Sequence, residues 1–316
     1  MQGVSTSTAG FVGLAERGPV AGQPQLVTSF ADYRRLYGGY LSEAACGTAR
    51  FLPYAVEQFF LNGGSRAYIM RAVPADAKAG TVTTGALKIS AANPGAWAEN
   101  LRVTVAPSSK AKTQVLASDG ADLTLKNADG FQPGDVVELF DGAKTAYATV
   151  KSVLDRVVTL DAPCPLNVAD TKVGTAKYIR TCEITITARL DETVEVYENL
   201  SLKPDALNYA PVRTAKSDLI RVEVQAVKAP AKEEKKDDKA PAAPASAQSI
   251  VPYELCGGKG SELVLTLGGG SDGSVLKLTA DTYLGKDDGP GPQGREEGRQ
   301  GRAGPGSGRT GRHHAL

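Results

Sequence analysis

The chain is poor in the residue types that perform chemistry. Its two histidines, His313 and His314, both sit in an anomalous C-terminal stretch. A histidine general base, a catalytic triad or an imidazole zinc site therefore lacks raw material in the body of the chain. The four cysteines, Cys46, Cys164, Cys182 and Cys256, are scattered and form no C-x-x-C pair. That spacing suggests neither a metal site nor a disulfide framework, so reduced structural thiols are expected. No apolar run reaches the ~18 residues of a membrane-spanning helix, so no membrane insertion is expected. The start, MQGVSTSTAG, has no basic segment followed by an apolar one, so no signal peptide is expected. Charge of one sign is also lacking: 36 Lys and Arg against 35 Asp and Glu leave a net charge of +1. Nothing in that balance draws the chain to nucleic acid, and no nucleic-acid partner is expected. No catalytic, cofactor-binding or metal-ligating residue stands out.

What is present is enough apolar material for a core, 41% of the residues, arranged with clear periodicity. The organising stretch is FLPYAVEQFFLNGGSRAYIMRAV, residues 51–73. Pro53 suits the first turn of a helix, where its missing N–H costs nothing. Leu52, Val56, Phe59 and Phe60 recur at three- and four-residue spacing and make one apolar stripe. Asn62-Gly63-Gly64 stops the helix, and residues 67–73 follow as a buried strand. Upstream, residues 8–15 read as another buried strand and Pro24 to Thr28 as a short one. Ser29 caps a helix with a Phe30, Tyr33, Leu36 and Tyr37 stripe, ended by Gly38-Gly39. The order β–β–α–α–β implies an α/β layer.

Three blocks in this region, GVSTSTAGFVGLAERGP, LVTSFADYRRLYGGYL and FLPYAVEQFFLNGGSRAYIMRA, resemble the start of the contractile tail sheath family, in the same order and spacing. The family occurs in contractile-tailed phages, R-type tailocins and related contractile injection systems. NPGAWAENLRVTV (93–105), VYENLSL (196–202), SDLIRVEV (217–224) and GGGSDG…LTADTYLGKDDGPG (268–291) are similar to further sheath segments. The resemblance implies a structural subunit that polymerises helically around an inner tube and contracts to drive that tube through a target envelope. The implied partners are other copies of the chain, the tail tube protein and the baseplate. The implied location is the virion tail or a phage-like particle, assembled in the bacterial cytoplasm. Family members carry an arm before the GVSTST-like block and a C-terminal domain after the last one, and both are expected to be missing here.

Between the blocks the character changes. Residues 110–175 alternate at Val136, Val137, Leu139, then Tyr147, Thr149, Val150, then Val157, Val158, Leu160. Turns at Asp129-Gly130, Pro133-Gly134 and Asp141-Gly142 separate them. This is an all-β module, barrel or sandwich, inserted between the strand at 101–105 and the strand at 182–190. The fold class expected is thus a mixed α/β core domain with an inserted all-β module. Its parts are 1–108 (first core part), 109–176 (module), 177–228 (return strands) and 251–288 (last core segment). Residues 229–250, rich in Pro, Ala and mixed charge, read as a disordered linker, and 289–316, rich in Gly, Arg and Pro, as a disordered tail. That tail has the composition of GC-rich DNA translated out of frame, and a frameshift near Gly291 is expected in preference to the functional alternative, a basic RNA-binding tail.

Other functional readings attach to single features. Trp97, the only tryptophan, is expected to pack on the following β-layer rather than stack on a ligand. Glu192, Glu195 and Glu198 read as a solvated strand edge, not as acid–base carboxylates. Gly268–Gly273 has the look of a phosphate cradle but lacks the Lys-Ser/Thr ending of a P-loop. A β-rich surface binding module of a phage-like particle is the alternative function; carbohydrate binding by the insert lacks an aromatic stripe. An α/β enzyme on the first sheet would need a deep pocket with perturbed titratable groups.

Overall fold

The structure is a computed structural model that describes residues 7–172, 176–225 and 250–274. The linker after Gln225, the histidines and the Gly/Arg/Pro tail lie outside the described residues. Among the described residues, apolar side chains gather in three cores, each under its own layer of strands.

The first core is the α/β one. Its elements are β1 (Thr8–Gly13), β2 (Gln25–Val27), α1 (Phe30–Tyr37), α2 (Glu43–Cys46), α3 (Leu52–Leu61) and β3 (Arg66–Arg71). β3 is central, parallel to β1 and antiparallel to β2. The Ser29 hydroxyl accepts from the Asp32 N–H at 3.0 Å and so caps α1. Gly38 ends it at φ 87°, a backbone angle that favours glycine. Tyr33 and Tyr37 from α1 and Leu52 and Val56 from α3 pack on Ala67 and Ile69 of β3. β1 departs from the buried strand expected: it is an edge strand with alternating exposure, and Val12 is 72% exposed. An apolar run does not reveal which of its faces has a partner. The short helix α2 was not expected at all.

The α/β character stops there. The rest of the expected α/β core is an antiparallel two-sheet sandwich. Its chain starts with β4 (Thr81–Thr84) and β5 (Leu87–Ala91), then a single-turn 3-10 helix at Ala96–Asn100, then β6 (Arg102–Ser108). At Ser108 the chain leaves for the inserted module: β7 (Lys112–Thr113), β8 (Val115–Asp119), β9 (Asp122–Leu125), β10 (Val136–Phe140), β11 (Thr145–Leu154), β12 (Val157–Leu160) and β13 (Tyr178–Thr181). It returns in β14 (Glu183–Leu190), β15 (Thr193–Leu200), α4 (Ala210–Thr214), β16 (Ile220–Val224), α5 (Pro252–Leu255) and β17 (Leu263–Thr266). One sheet runs β15-β14-β6-β17 and the other β16-β5-β4. Leu87, Ile89, Val103, Val105, Ile184, Ile186, Ile220 and Val222 fill the space between them, with Trp97 buried at their side.

The module is a closed barrel. Its sheet runs β7-β13-β10-β11-β12-β9-β8. β7 and β8, the two ends of that order, are separated in sequence by Gln114 alone, so one bent strand closes the ring. Leu123, Leu125, Val137, Leu139, Val150, Val158, Leu160 and Ile179 point inward. Tyr178–Thr181, read from the sequence as part of the return strands, is a barrel strand pairing with β10 and β7. The barrel's two entry strands, β6 and β14, pair with each other from Arg102↔Arg189 to Ser108↔Glu183. It therefore sits at the end of a long antiparallel hairpin.

Arg71, at the end of β3, ties the first core to the second. It is 3% exposed, and its guanidinium donates to the carbonyls of Ala15 (2.9 Å), Glu16 (3.1 Å), Gly18 (3.2 Å) and Pro94 (2.8 Å). No described carboxylate lies within ion-pair distance of it. Burial pulls its pKa down to about 10, partly offset by Asp272, Tyr33 and Glu16, so it stays charged at neutral pH.

Two outcomes follow for stability. Arg71→Met leaves four inward carbonyls without a donor and should cost about 3 kcal/mol or more in denaturant unfolding; Arg71→Lys, which cannot span four acceptors, should recover less than half. Residues 109–182, cut from the chain, should fold alone as a barrel, because the module has a hydrophobic core of its own; a dispersed amide spectrum would show it, and a collapsed one would refute it.

Candidate functional site

Where the barrel meets the hairpin, the outgoing and returning chains are clasped by a polar cluster. The Lys110 N–H donates to Thr181 Oγ1 (3.1 Å) and to Glu183 Oε2 (3.0 Å). The Thr181 hydroxyl donates to Glu183 Oε2 (2.8 Å), and the Ala111 N–H donates to Thr181 Oγ1 (3.1 Å). Lys110 Nζ lies 2.8 Å from Asp135 Oδ1, ahead of β10, and 3.5 Å from Glu183 Oε1. Thr181 and Glu183 are 1% and 4% exposed. Burial raises the Glu183 pKa above its usual 4.5, and the hydrogen bonds from Lys110 and Thr181 and the Lys110 charge only partly oppose this. The cluster offers no open position for a ligand; it fixes the angle between barrel and hairpin.

The edge carboxylates divide. Glu192 and Glu198 are exposed. Glu195 is not a solvated edge residue: it accepts from the Tyr197 hydroxyl (2.9 Å), the Asp218 N–H (3.0 Å) and the Ser217 hydroxyl. Val194 and Val196 instead face out, 41% and 54% exposed.

The glycine run at 268–273 is a strap, not a cradle. Its Gly268 and Ser271 N–H groups donate to Thr81 and Lys78 carbonyls, at 3.1 and 2.9 Å, and the Ser274 N–H donates to Asp76. These amides face protein, leaving none of the three for a phosphate. A Cβ on Gly270 would lie 2.6 Å from the Gly95 carbonyl oxygen, so glycine is required there by close approach. Trp97 is 4% exposed in the sandwich core, and its ring is not presented to a ligand.

All four cysteines carry free thiols. Burial pushes the Cys182 and Cys256 thiols up to about 12, which keeps them protonated and unreactive. Tyr37 is likewise raised to about 12 by burial. These perturbed groups are dispersed among separate cores. Among the described residues, no group of three or more His, Cys, Asp or Glu is placed to hold a metal ion, and no helix is long and apolar enough to cross a membrane.

The barrel's outer wall collects aromatics that lie far apart in sequence. Phe140 of β10 pairs in register with Tyr178 of β13, with ring centroids 5.2 Å apart. Tyr147 of β11 stands opposite Glu138. Glu138 accepts from the Tyr178 hydroxyl (2.7 Å) and from Arg180 (2.6 Å), and Lys112 Nζ lies 3.9 Å above the Tyr178 ring. No stripe marks this group in the sequence, because only the β10–β11–β13 register assembles it.

The clasp predicts a pH effect with a definite sign. Because Glu183 holds its proton more tightly folded than unfolded, its contribution is fully present below about pH 4.5 and is lost as pH rises through its folded pKa. Wild type should therefore lose stability relative to Glu183→Gln over that rise, measured as the difference in unfolding free energy at each pH. Lys110→Met, which strands two buried carboxylates, should cost about 3 kcal/mol at neutral pH.

No protein-family model matches the chain, and no curated protein matches it. Among solved structures, it is similar to the sheath tail protein of Listeria innocua, at 17% identity over 51% of this chain and 35% of that one, with a TM-score of 0.24. It is also similar to a sheath tail protein of Desulfitobacterium hafniense, at 13% identity over 52% and 36%, with a TM-score of 0.23. The chain spans about a third of the length of each.

Proposed function

We propose that this chain is a structural subunit of a contractile tail sheath, working through surfaces that mate with other subunits rather than through a reaction. One observation carries the reading. Among the described residues, the sequence blocks that resemble sheath segments all fall in the two layers outside the barrel, although β4, β5, β14 and β17 of those layers carry no such block. GVSTST…, LVTSF… and FLPYAV… supply β1, β2, α1, α3 and β3. NPGAW…, VYENLSL and SDLIRVEV supply the Trp97 turn and strands β6, β15 and β16. The barrel, which carries no such block, hangs from the hairpin. That is the arrangement of a shared scaffold with an added outer module.

In such a subunit the partners are further copies of the chain, an inner tube and a baseplate. Copies meeting through unlike surfaces generate an open helical array, and contraction is a rigid-body rearrangement of that array. The stiff clasp at Lys110 and Glu183 keeps the barrel moving with its hairpin.

The aromatic group on the barrel wall favours a second reading, in which the barrel is a carbohydrate-binding surface of the same particle. Tyr147, 40% exposed beside Glu138 and Arg180, has the amphipathic face and polar neighbours such binding uses.

Immunogold labelling with an antibody to the barrel, on contractile particles from the strain that encodes the chain, tests the first reading. Label along the length of the tail is expected; label confined to the tip, or to no particle at all, would sink it. Glycan-array binding by the full chain, abolished in Tyr147→Ala, is the outcome the second reading requires.

A further inference from the structure

We infer that the outer face of the β15-β14-β6-β17 sheet is a self-complementary docking surface for a second copy of this chain. The inner face of that sheet is the sandwich core. The outer face has no covering layer among the described residues, and the strand registers give its pattern row by row.

The middle row is Val264–Thr104–Thr187–Val196, one residue from each strand. All four are β-branched, and Val264 and Val196 are 52% and 54% exposed. One step along the strands in one direction, Arg102 stands directly opposite Arg189, flanked by Thr266 and Val194. Like charges directly opposed on neighbouring strands destabilise a sheet, and both arginines are exposed. One step in the other direction, Ala106 faces Thr185. Beside this pair stand Glu262, next in register after Leu263↔Val105, and Glu198, at the bulge opposite Thr185. Both glutamates are exposed. Among the described residues, none of these four charged groups forms an ion pair.

The face is therefore a basic row, an apolar β-branched row and an acidic row, in that order. A two-fold axis lying in the interface, across the strands through the middle row, reverses the strand direction and leaves the strand order unchanged. It lays each copy's basic row over the other's acidic row. Arg102 then falls one strand from the partner copy's Glu262 position, and Arg189 one strand from its Glu198 position. Neighbouring strands are about 4.8 Å apart and packed sheets about 10 Å, within the combined reach of an arginine and a glutamate. The Val/Thr rows meet between them. The opposed arginines, unfavourable in the isolated chain, acquire carboxylates in the pair. A polar helical array contains no two-fold contacts, so this pairing would hold the chain in an unassembled form. It does not rest on the sheath reading.

Sedimentation equilibrium of the full chain tests it. A dimer that weakens with added salt is expected. Arg102→Glu with Arg189→Glu makes the face wholly acidic, and Glu198→Arg with Glu262→Arg makes it wholly basic. Each variant alone should self-associate at least about tenfold more weakly, with thermal unfolding confirming that it is folded. Mixed in equal amounts, the two should pair again. A wild-type monomer, a dimer indifferent to both reversals, a mixture that stays monomeric, or an open-ended polymer would each overturn the inference. The readout is the mass of the isolated chain, so failure of the sheath assignment leaves the result intact.

Discussion

A buried positive charge without a carboxylate partner holds the first two layers together. Arg71 leaves β3 and is met by four main-chain carbonyls, three from the β1–β2 connection and one from Pro94. Desolvating a guanidinium is costly, and backbone oxygens offset that cost only if all are in place at once. The arrangement is therefore cooperative: the β1–β2 connection, the end of β3 and the turn before Trp97 are right together or not at all. Pro94 and Gly95 then deliver Trp97 into the sandwich core. Arg71 thus relates a mixed α/β layer to an antiparallel sandwich that shares no sheet with it, alongside the exposed ion pair of Arg35 with Asp218 at 3.3 Å.

The second joint follows a different rule. Between barrel and hairpin, the tie is a buried set of opposite charges with hydrogen bonds from both passing strands. Such a set is weak as a source of net stability, since desolvation offsets much of the attraction. It is strong as a source of specificity, because a barrel turned about the hairpin axis would leave Glu183 and Asp135 buried without Lys110. The barrel's own inward residues would fold it without the clasp. What the clasp adds is orientation.

The sequence shows the elements well and the ties between them poorly. Helices α1 and α3 are legible because caps, stripes and glycine stops are local: Ser29, Gly38 and Pro53 act within a few residues of themselves. The inserted module is legible from its alternation and its turns, and β6 with β14 from their complementary patterns. Arg71 reads as one more residue in a strand, since its four acceptors lie 23 to 56 positions away. Lys110 and Glu183 are separated by 73 positions and look like ordinary surface charges. β15 shows the limit most plainly. Its valines suggest that Val194 and Val196 face in, yet Glu195 and Tyr197 do, because Ser217 and the Asp218 N–H stand there as donors. A polar partner supplied from 22 positions along the chain decides which way the strand faces.

That inversion has a consequence for the outer surface. Turning Glu195 inward satisfies a carboxylate and places Val194 and Val196 on the solvent side of an edge strand, Val196 in line with Thr187, Thr104 and Val264, and Val194 in line with Arg189, Arg102 and Thr266. Edge strands with exposed apolar residues are normally blunted by charge, and here Glu192 and Glu198 bracket the two valines. The bracket discourages indiscriminate pairing along the edge while leaving the face available to a partner of matching pattern. The internal hydrogen bonds of one loop and the association chemistry of one sheet are therefore a single problem: the residues that complete the core also determine what the molecule shows to its neighbours.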